Sequence, residues 1–280
     1  MTVLEFAYVL GLSDETIRRL SDCSIANEDF QSIQTSLYEN ENEAWSVFEQ
    51  LNPVQCLYVC LQLALQMQYA YAQIGIPQEV FWDSVKDIAI WNRDHENKTG
   101  MPGLTEWKWV ARTLQRKLFR VGRLQYESKI LEEKIFANQV AYKKGSLYLM
   151  VHIPAEEALN FEDALSSMNS AVPFFQTYFS LKHDLFLCRS WLLAPELKEL
   201  LPENSRILQF QSLFHIIEVK NDPYRQAEAR VFGFISDDPR LYPETTSLQR
   251  SLKSFLLLGS KTTCATGIRS TNKLTKTTEM

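Results

Sequence analysis

The stretch GSLYLMVHIPAEEALNFEDALSSMNSAVPFFQTYF, residues 145–179, decides the fold class of this chain. Residues 147–153 are apolar on both parities, which is typical of a strand buried on both faces. Pro154 cannot donate to a central ladder, so the strand is expected to end there. Apolar residues then recur at helical spacing over 161–179, behind Asn160 as a helix cap. A central strand that leads into a helix predicts a fold of mixed helices and strands, with a ligand where the two meet.

The composition is that of a globular protein. The chain has 280 residues and 45% hydrophobic content, enough to bury a core in two domains. A net charge of -5 and a pI near 5.5 argue against general nucleic-acid binding, which needs a basic surface. No polybasic segment suggests a membrane surface either. We therefore expect no nucleic-acid partner and no membrane association.

The cysteines and the N-terminal residues indicate the cellular compartment in which the protein is expected. The five cysteines are scattered and lack CxxC spacing, which favours free thiols in a reducing compartment. The first residues lack the basic region of a secretory signal, so we expect a cytoplasmic location. The uncharged stretch 51–78 is long enough to span a bilayer, but its glutamines lie near one helical face. We therefore expect a core helix there.

Helical periodicity dominates up to residue 103. Asn52-Pro53 places a capping residue and a proline where a helix can begin. The polar segment 92–103 is rich in turn formers and is the best linker candidate. The sequence therefore predicts a helical N-terminal domain over 1–103, a second domain over 104–269 and a disordered tail over 270–280.

Strands and helices alternate after this linker, so the predicted fold class is α+β. It combines an all-helical N-terminal domain with a mixed β-sheet flanked by helices. The further predicted strands are 119–128, 135–142, 184–193, 207–219 and 229–235, and the further predicted helices are 195–201 and the segment following Ser247.

The order of these elements matches the acyltransferase fold called GNAT. The segments VGRLQYE (121–127), VHIP (151–154), SWLLAPELKELLPENSRILQFQSLF (190–214) and TSLQRSLKSFLLLG (246–259) resemble a bacterial family of uncharacterised acyltransferase-domain proteins. Those proteins join a helical N-acyltransferase N-terminal domain to a GNAT-like C-terminal domain. The resemblance implies an N-acyltransferase that moves an acyl group from acyl-CoA, acetyl-CoA or longer, to an amine of a small molecule or peptide, without a metal.

The resemblance also implies where the donor binds. In GNAT enzymes the end of the central strand holds the thioester and the pantetheine, which here corresponds to Val151 and Ile153. The following loop and helix N-terminus hold the pyrophosphate, but the loop here, AEEALN, has no glycine. Bases such as Arg112, Arg116 or Arg250 would have to compensate for the acids of this segment, which are Glu156, Glu157, Glu162 and Asp163. An alternative is a non-catalytic binding or regulatory module that kept the fold and lost coenzyme A.

Three residues are candidates for proton transfer. His152, at the end of the central strand, would be a general base, although a hydrogen-bonded core histidine fits the pattern as well. Glu127 could relay a proton through water, or simply be exposed at its strand end. Ser190 could protonate the leaving thiolate, or bond to neighbouring backbone.

Two residues are candidates for substrate contact. Cys188 shares a strand face with Ser190, beside the gap that admits the acceptor in GNAT enzymes. Trp191 has the opposite parity and is a core residue or a pocket wall. A second enzyme hypothesis makes Cys188 a nucleophile and His152 its base, although no orienting residue or oxyanion site is evident.

Overall fold

The computed structural model describes residues 1–39, 41–137, 139–155 and 157–272. The chain forms two compact units. The first holds Met1–Glu127 together with the short segment Ile153–Glu157. The second holds Ser128–His152 and the chain from Ala158 onward. The predicted boundary at 103/104 thus lies inside the first unit.

The first unit is mainly helical and ends in a β-hairpin. Strands β1 and β2 pair antiparallel, and β2 continues into the second unit. The bounds are α1 Val3–Val9, α2 Asp14–Ser21, α3 Asn27–Glu39, α4 Glu41–Phe48, α5 Pro53–Gln73, α6 Gln78–Thr99, α7 Trp107–Leu114, β1 Leu118–Val121 and β2 Leu124–Ile130. Within the described residues, no helix is both long enough and apolar enough to cross a membrane.

The predicted linker 92–103 is wrong over most of its length, because α6 continues to Thr99. Asn92 is buried in α6, and its side-chain oxygen accepts a hydrogen bond from the Gly103 N–H at 2.9 Å. A Cβ at Gly103 would lie 2.4 Å from the Pro53 side chain. The turn therefore packs back onto the helices, and the polar Asn92 makes an interior contact.

Helix α5 begins as predicted, at Pro53 behind Asn52. The Asn52 side chain accepts from the Gln55 N–H at 3.0 Å, and the Gln55 side chain accepts from the Asn52 N–H at 3.0 Å. This reciprocal arrangement is a capping box. It satisfies two backbone donors that the first turn would otherwise leave without partners.

Replacing Asn52 with alanine is expected to lower the free energy of unfolding by about 1 kcal/mol, because it removes the side-chain oxygen that accepts from the Gln55 N–H. Asn160 is a matched control, since it occupies the cap position of a helix without a side-chain capping bond. Asn160→Ala should cost only a few tenths of a kcal/mol. Chemical denaturation measures both variants, and equal losses would contradict the assignment of the capping box.

The single strand predicted over 119–128 is instead the hairpin of β1 and β2. Gly122 adopts φ +68°, a conformation that glycine reaches without strain, and the chain reverses there. Val121 then pairs with Leu124 across a two-residue turn. The prediction failed because it placed Gly122 inside a strand.

The second unit contains a mixed sheet with helices. Its strands β5, β6, β8 and β7 are neighbours in that order; β5 and β6 are parallel, and the other pairs are antiparallel. A separate small hairpin joins β3 and β4. The bounds are β3 Ile135–Ala137, β4 Val140–Tyr142, β5 Leu147–His152, α8 Phe161–Phe179, β6 Leu185–Ser190, α9 Leu197–Leu200, α10 Arg206–Gln211, β7 His215–Asn221, α11 Gln226–Phe232, α12 Ser247–Leu257 and β8 Thr263–Ser270, with 3-10 turns at Trp191–Leu193 and Pro239–Leu241.

Four predicted strands of this unit need correction. The single strand predicted over 135–142 is instead the hairpin of β3 and β4. The strand predicted over 184–193 ends at Ser190, where a 3-10 turn begins. The segment 207–219 divides into α10, capped by Ser205, and the strand β7. The segment 229–235 belongs largely to α11, which ends at Gly233 with φ +82°.

The sequence analysis did not predict strand β8. Its residues Thr263–Ser270 lack a clear apolar alternation, yet they pair with both β6 and β7. Ser270, assigned to the tail, closes this strand, and the Thr271 hydroxyl donates to the His183 carbonyl at 2.9 Å. Residues 273–280 of the predicted tail lie outside the described residues. The predicted fold class, a helical N-terminal part followed by a GNAT-like mixed sheet, is confirmed.

Candidate active site

The candidate site lies where the parallel strands β5 and β6 stop pairing. Their register runs over four positions, from Tyr148 opposite Leu185 to Val151 opposite Cys188. The leucine-, valine- and methionine-rich sequence of β5 suits a strand with neighbours on both faces. The ladder between the two strands therefore ends at Val151 and Cys188.

Both strands continue beyond the last pair. β5 extends to His152, which is half-buried. β6 extends to Ser190, which stays paired with Ala265 of β8. Because β6 follows β8 while its ladder with β5 ends, the two parallel strands part at their carboxyl ends. A parallel sheet of this kind places ligands at such ends.

Ser190 has a defined hydrogen-bond geometry. Its Oγ accepts from the Leu192 N–H at 3.1 Å and thereby caps the 3-10 turn. The expected backbone bond is present, and it uses Ser190 as an acceptor. A hydroxyl that accepts one bond can still donate its own proton. The Ser190 hydroxyl can therefore still donate a hydrogen bond.

Cys188 is completely buried. Its thiol has 0% exposure, and burial followed by the neighbouring Cys264 raises the pKa of Cys188 well above its usual range. The thiolate is the reactive form of cysteine, and burial disfavours it. This environment argues against Cys188 as a nucleophile with His152 as its base.

Trp191 and Arg250 lie near the C-terminal helices of the second unit. Trp191 is half-buried against an apolar cluster that includes Phe232, Tyr242 and Leu252. Arg250 is exposed on α12, and its Nη1 donates to the Glu244 carbonyl at 2.9 Å and the Thr245 carbonyl at 3.3 Å.

Glu127 lies in the first unit and is buried, not exposed at a strand end. Its carboxylate is 3.5 Å from the Arg112 guanidinium. On the same parity of β2, Gln125 donates to the carboxylate of Asp87 at 2.7 Å, and the Trp109 indole donates to it at 2.8 Å. The sequence analysis did not identify Asp87. The feature that could have indicated it is an acidic residue among the apolar positions of α6.

The segment after β5 also belongs to the first unit, and two arginines hold it. Arg120 forms an ion pair with the Glu157 carboxylate at 2.7 Å, and Arg123 donates to the Glu157 carbonyl at 2.7 Å. Both arginines are buried. The expected compensation of the acidic loop is therefore present at Glu157, but it comes from the β1–β2 hairpin. Glu156 lies outside the described residues.

The start of α8, in the second unit, differs from a standard cap. Asn160 occupies the cap position, yet its side-chain amide donates to the Asp163 carboxylate at 2.8 Å. Glu162 and Asp163 both lie in the first turn, where acids favour the helix dipole. The acids predicted to cluster here thus have an ordinary structural use.

A cavity of about 440 Å³ lies between α5 and α6. Its walls include Leu65, Tyr69, Ala72, Ile76 and Phe81. None of the predicted site residues lines this cavity. Within the part of the chain that the structure describes, no three histidine, cysteine, aspartate or glutamate side chains are gathered to hold a metal ion.

Comparisons with known proteins identify two domain families along the chain. The GNAT-like C-terminal domain family matches residues 118–269, more than half of the chain, and the N-acyltransferase N-terminal domain matches residues 1–115. No curated protein is similar enough in sequence to match.

Solved structures share the fold over nearly the whole chain. An acyltransferase in complex with decanoyl-CoA and teicoplanin is 20% identical with a TM-score of 0.66, covering 96% of this chain and 99% of its own. An acyltransferase mutant in complex with octanoyl-CoA has the same identity and coverage and a TM-score of 0.68. A complex with CoA and 10C-teicoplanin gives 20% and 0.66 at the same coverage.

The resemblance stated from the sequence motifs is thereby confirmed at the level of family and fold. The matched domains follow one another along the chain, and the order of helices and strands fits both. The chain therefore belongs to the family of proteins that join an N-acyltransferase N-terminal domain to a GNAT-like C-terminal domain.

Proposed function

We propose that this protein is an N-acyltransferase that moves an acyl group from acyl-CoA to an amine of a small-molecule or peptide acceptor. The observation that carries the proposal is the parting of β5 and β6 after Val151 and Cys188. The solved acyltransferases of this fold, some bound to decanoyl-CoA or octanoyl-CoA and some also to teicoplanin, support the choice of donor and acceptor classes.

The parted strands offer a binding surface for the donor. Backbone amides and carbonyls at a strand edge require hydrogen-bond partners, and an extended ligand with amide groups can supply them as an added strand would. The pantetheine arm of coenzyme A is such a ligand. We propose that the backbone of Val151 and Ile153 contacts this arm and polarises the thioester carbonyl.

The chemistry requires two proton movements. The amine nitrogen attacks the thioester carbonyl, the C–N bond forms and the C–S bond breaks, giving an amide and the coenzyme A thiol. His152 accepts the proton that the amine nitrogen loses. The Ser190 hydroxyl donates a proton to the departing thiolate and regains one from water, while its Oγ holds the Leu192 N–H.

Other residues take supporting roles in this proposal. Glu127, which is buried in the first unit, is proposed to relay a proton through water. Trp191, half-buried directly after Ser190, forms a wall for the acceptor, and Cys188 lies buried two residues before Ser190 on β6. Arg250 contributes positive charge for the phosphates of the donor. The five free cysteines fit a reducing compartment, and we propose the cytoplasm.

The experiment that tests this function is product detection. The protein is incubated with acetyl-CoA, octanoyl-CoA or decanoyl-CoA and a panel of primary amines, and the acceptor is analysed by mass spectrometry. We expect a product heavier by the acyl group in at least one pairing. Acyl-CoA consumed only at the rate of a protein-free control, with every donor and amine, would contradict the proposal.

A further inference from the structure

Arg120 is an unusual residue of the first unit, because a permanently charged side chain is almost completely buried. Its guanidinium side chain is 2% exposed. Nε donates to the Gly122 carbonyl at 3.3 Å, and Nη2 lies 2.7 Å from the Glu157 carboxylate. Nη1 is buried and has no acceptor among the described residues.

The backbone fixes Arg120 in place. Its N–H donates to the buried Ser84 hydroxyl at 2.9 Å, and all four residues of β1 are buried. A guanidinium cannot be deprotonated in a protein, so Arg120 keeps its charge. A buried charge is costly unless it is paired and hydrogen-bonded. The site thus holds a fixed cation with one donor still unused.

Glu157 is the ion-pair partner of Arg120 that another anion can displace. Its side chain is 50% exposed, so its carboxylate already has access to water. Within the described chain, Glu157 supplies the only carboxylate paired with Arg120. Turning this carboxylate fully into solvent would cost Glu157 little and would open Nη2 of Arg120 to another anion.

Arg123 converges on the same residue from the same hairpin. It is 7% exposed, and its Nη2 donates to the Glu157 carbonyl at 2.7 Å. Two guanidinium groups therefore contact Glu157, that of Arg120 at the carboxylate and that of Arg123 at the backbone carbonyl. Guanidinium groups bind phosphate oxygens in a bidentate fashion, and a group with more than one negative charge competes well against a single carboxylate.

We propose that Arg120 and Arg123 bind the pyrophosphate of the acyl-CoA donor, and that the Glu157 carboxylate occupies this anion site until the donor displaces it. The inference rests on the proposed function, since it names the phosphate subsite of that donor. It explains how a loop without glycine can serve the cofactor. The positive charge comes from buried arginines of the β1–β2 hairpin, and Glu157 is an internal competitor.

Two substitutions should change donor affinity in opposite directions. Glu157→Gln removes the competitor and should tighten the Kd for CoA about fivefold, while Arg120→Gln should weaken it at least tenfold, as loss of a charge-assisted bond does. Arg120→Lys keeps the charge without the planar fork and should give an intermediate loss. Calorimetric titration measures each Kd, and circular dichroism checks that each variant is folded.

Comparing CoA, dephospho-CoA and pantetheine distinguishes binding of the pyrophosphate from binding of the 3′-phosphate. CoA and dephospho-CoA both carry the pyrophosphate and should respond alike to these substitutions. Pantetheine lacks it, and its Kd should change by less than twofold in every variant. The control Glu203→Gln removes an exposed carboxylate that lies outside the anion site, and it should leave all three affinities unchanged.

Three outcomes would overturn the inference. In the first, Glu157→Gln leaves the CoA affinity unchanged or weakens it. In the second, pantetheine responds as strongly as CoA. In the third, dephospho-CoA is insensitive while CoA responds, which would assign the arginines to the 3′-phosphate. If the unmodified protein binds CoA but the variants behave like it, only this inference fails; if the unmodified protein binds no CoA, the proposed function fails with it.

Discussion

Replacing His152 with alanine is expected to lower kcat by about 10² to 10⁴-fold, the usual contribution of a general base. His152 stands at the end of β5, one residue beyond the last pair with β6. The acceptor amine must lose a proton as the amide forms, and an imidazole at this position can take it. The affinity for acyl-CoA should change little, because we propose that the backbone holds the donor.

The pH dependence distinguishes this role from a structural one. At alkaline pH a primary amine is already neutral, so the deficit of His152→Ala should shrink as the pH rises. His215 is exposed on β7, and His215→Ala is the matched control that should keep full turnover. A folded His152→Ala variant with unchanged kcat at pH 7 would remove His152 from the mechanism.

The second large effect concerns stability and His183, in the second unit. His183 is 2% exposed, its Nε2 lies 2.8 Å from the Ser128 hydroxyl, and the Phe175 ring packs against it. Its Nδ1 is buried without a hydrogen-bond partner among the described residues. Burial lowers the pKa of His183 to about 4, although the neighbouring Asp184 partly opposes this.

A lowered pKa makes stability depend on pH in one direction. Between about pH 6.5 and 4 the unfolded chain binds a proton at His183 and the folded chain does not. The free energy of unfolding should therefore fall as the pH falls through this window, by about 3 kcal/mol from this residue. Above pH 6.5 the contribution is fully present.

The variant His183→Gln isolates the effect, because glutamine does not titrate. The difference in unfolding free energy between this variant and the unmodified protein should change by about 3 kcal/mol from pH 7 to pH 4. Urea denaturation across this range measures it, with His215→Gln as the exposed control. A difference that stays constant with pH would show that burial does not suppress protonation of His183.

The sequence predicted those elements in which local pattern and tertiary context agree. The buried strand before Pro154 and the helix up to Phe179 form as expected, and so does the start of α5 behind Asn52. Strand β8 could not be predicted, because its mixed residues gain a partner on each side only in the folded sheet. The chain reverses at Gly122, so the single strand predicted over 119–128 is two strands in the structure.

The candidate site was predictable in part. The family motifs led to His152 and Ser190, and the fold places both where the parallel strands part. The proposed roles of Arg120 and Arg123 were not evident, since an arginine usually faces solvent and nothing in one sequence shows that it is buried. Their pairing with Glu157 joins positions more than thirty residues apart, which only the folded chain brings together.

The central claim is that acyl-CoA binds where β5 and β6 part, and hydrogen–deuterium exchange tests it most directly. The backbone amides of residues 149–152 and 187–190 are compared with and without saturating decanoyl-CoA. The account predicts slower exchange in both segments and little change in β7, which lies at the other side of the strand order. Unchanged exchange in both segments, under conditions where acyl-CoA is shown to bind, would contradict it.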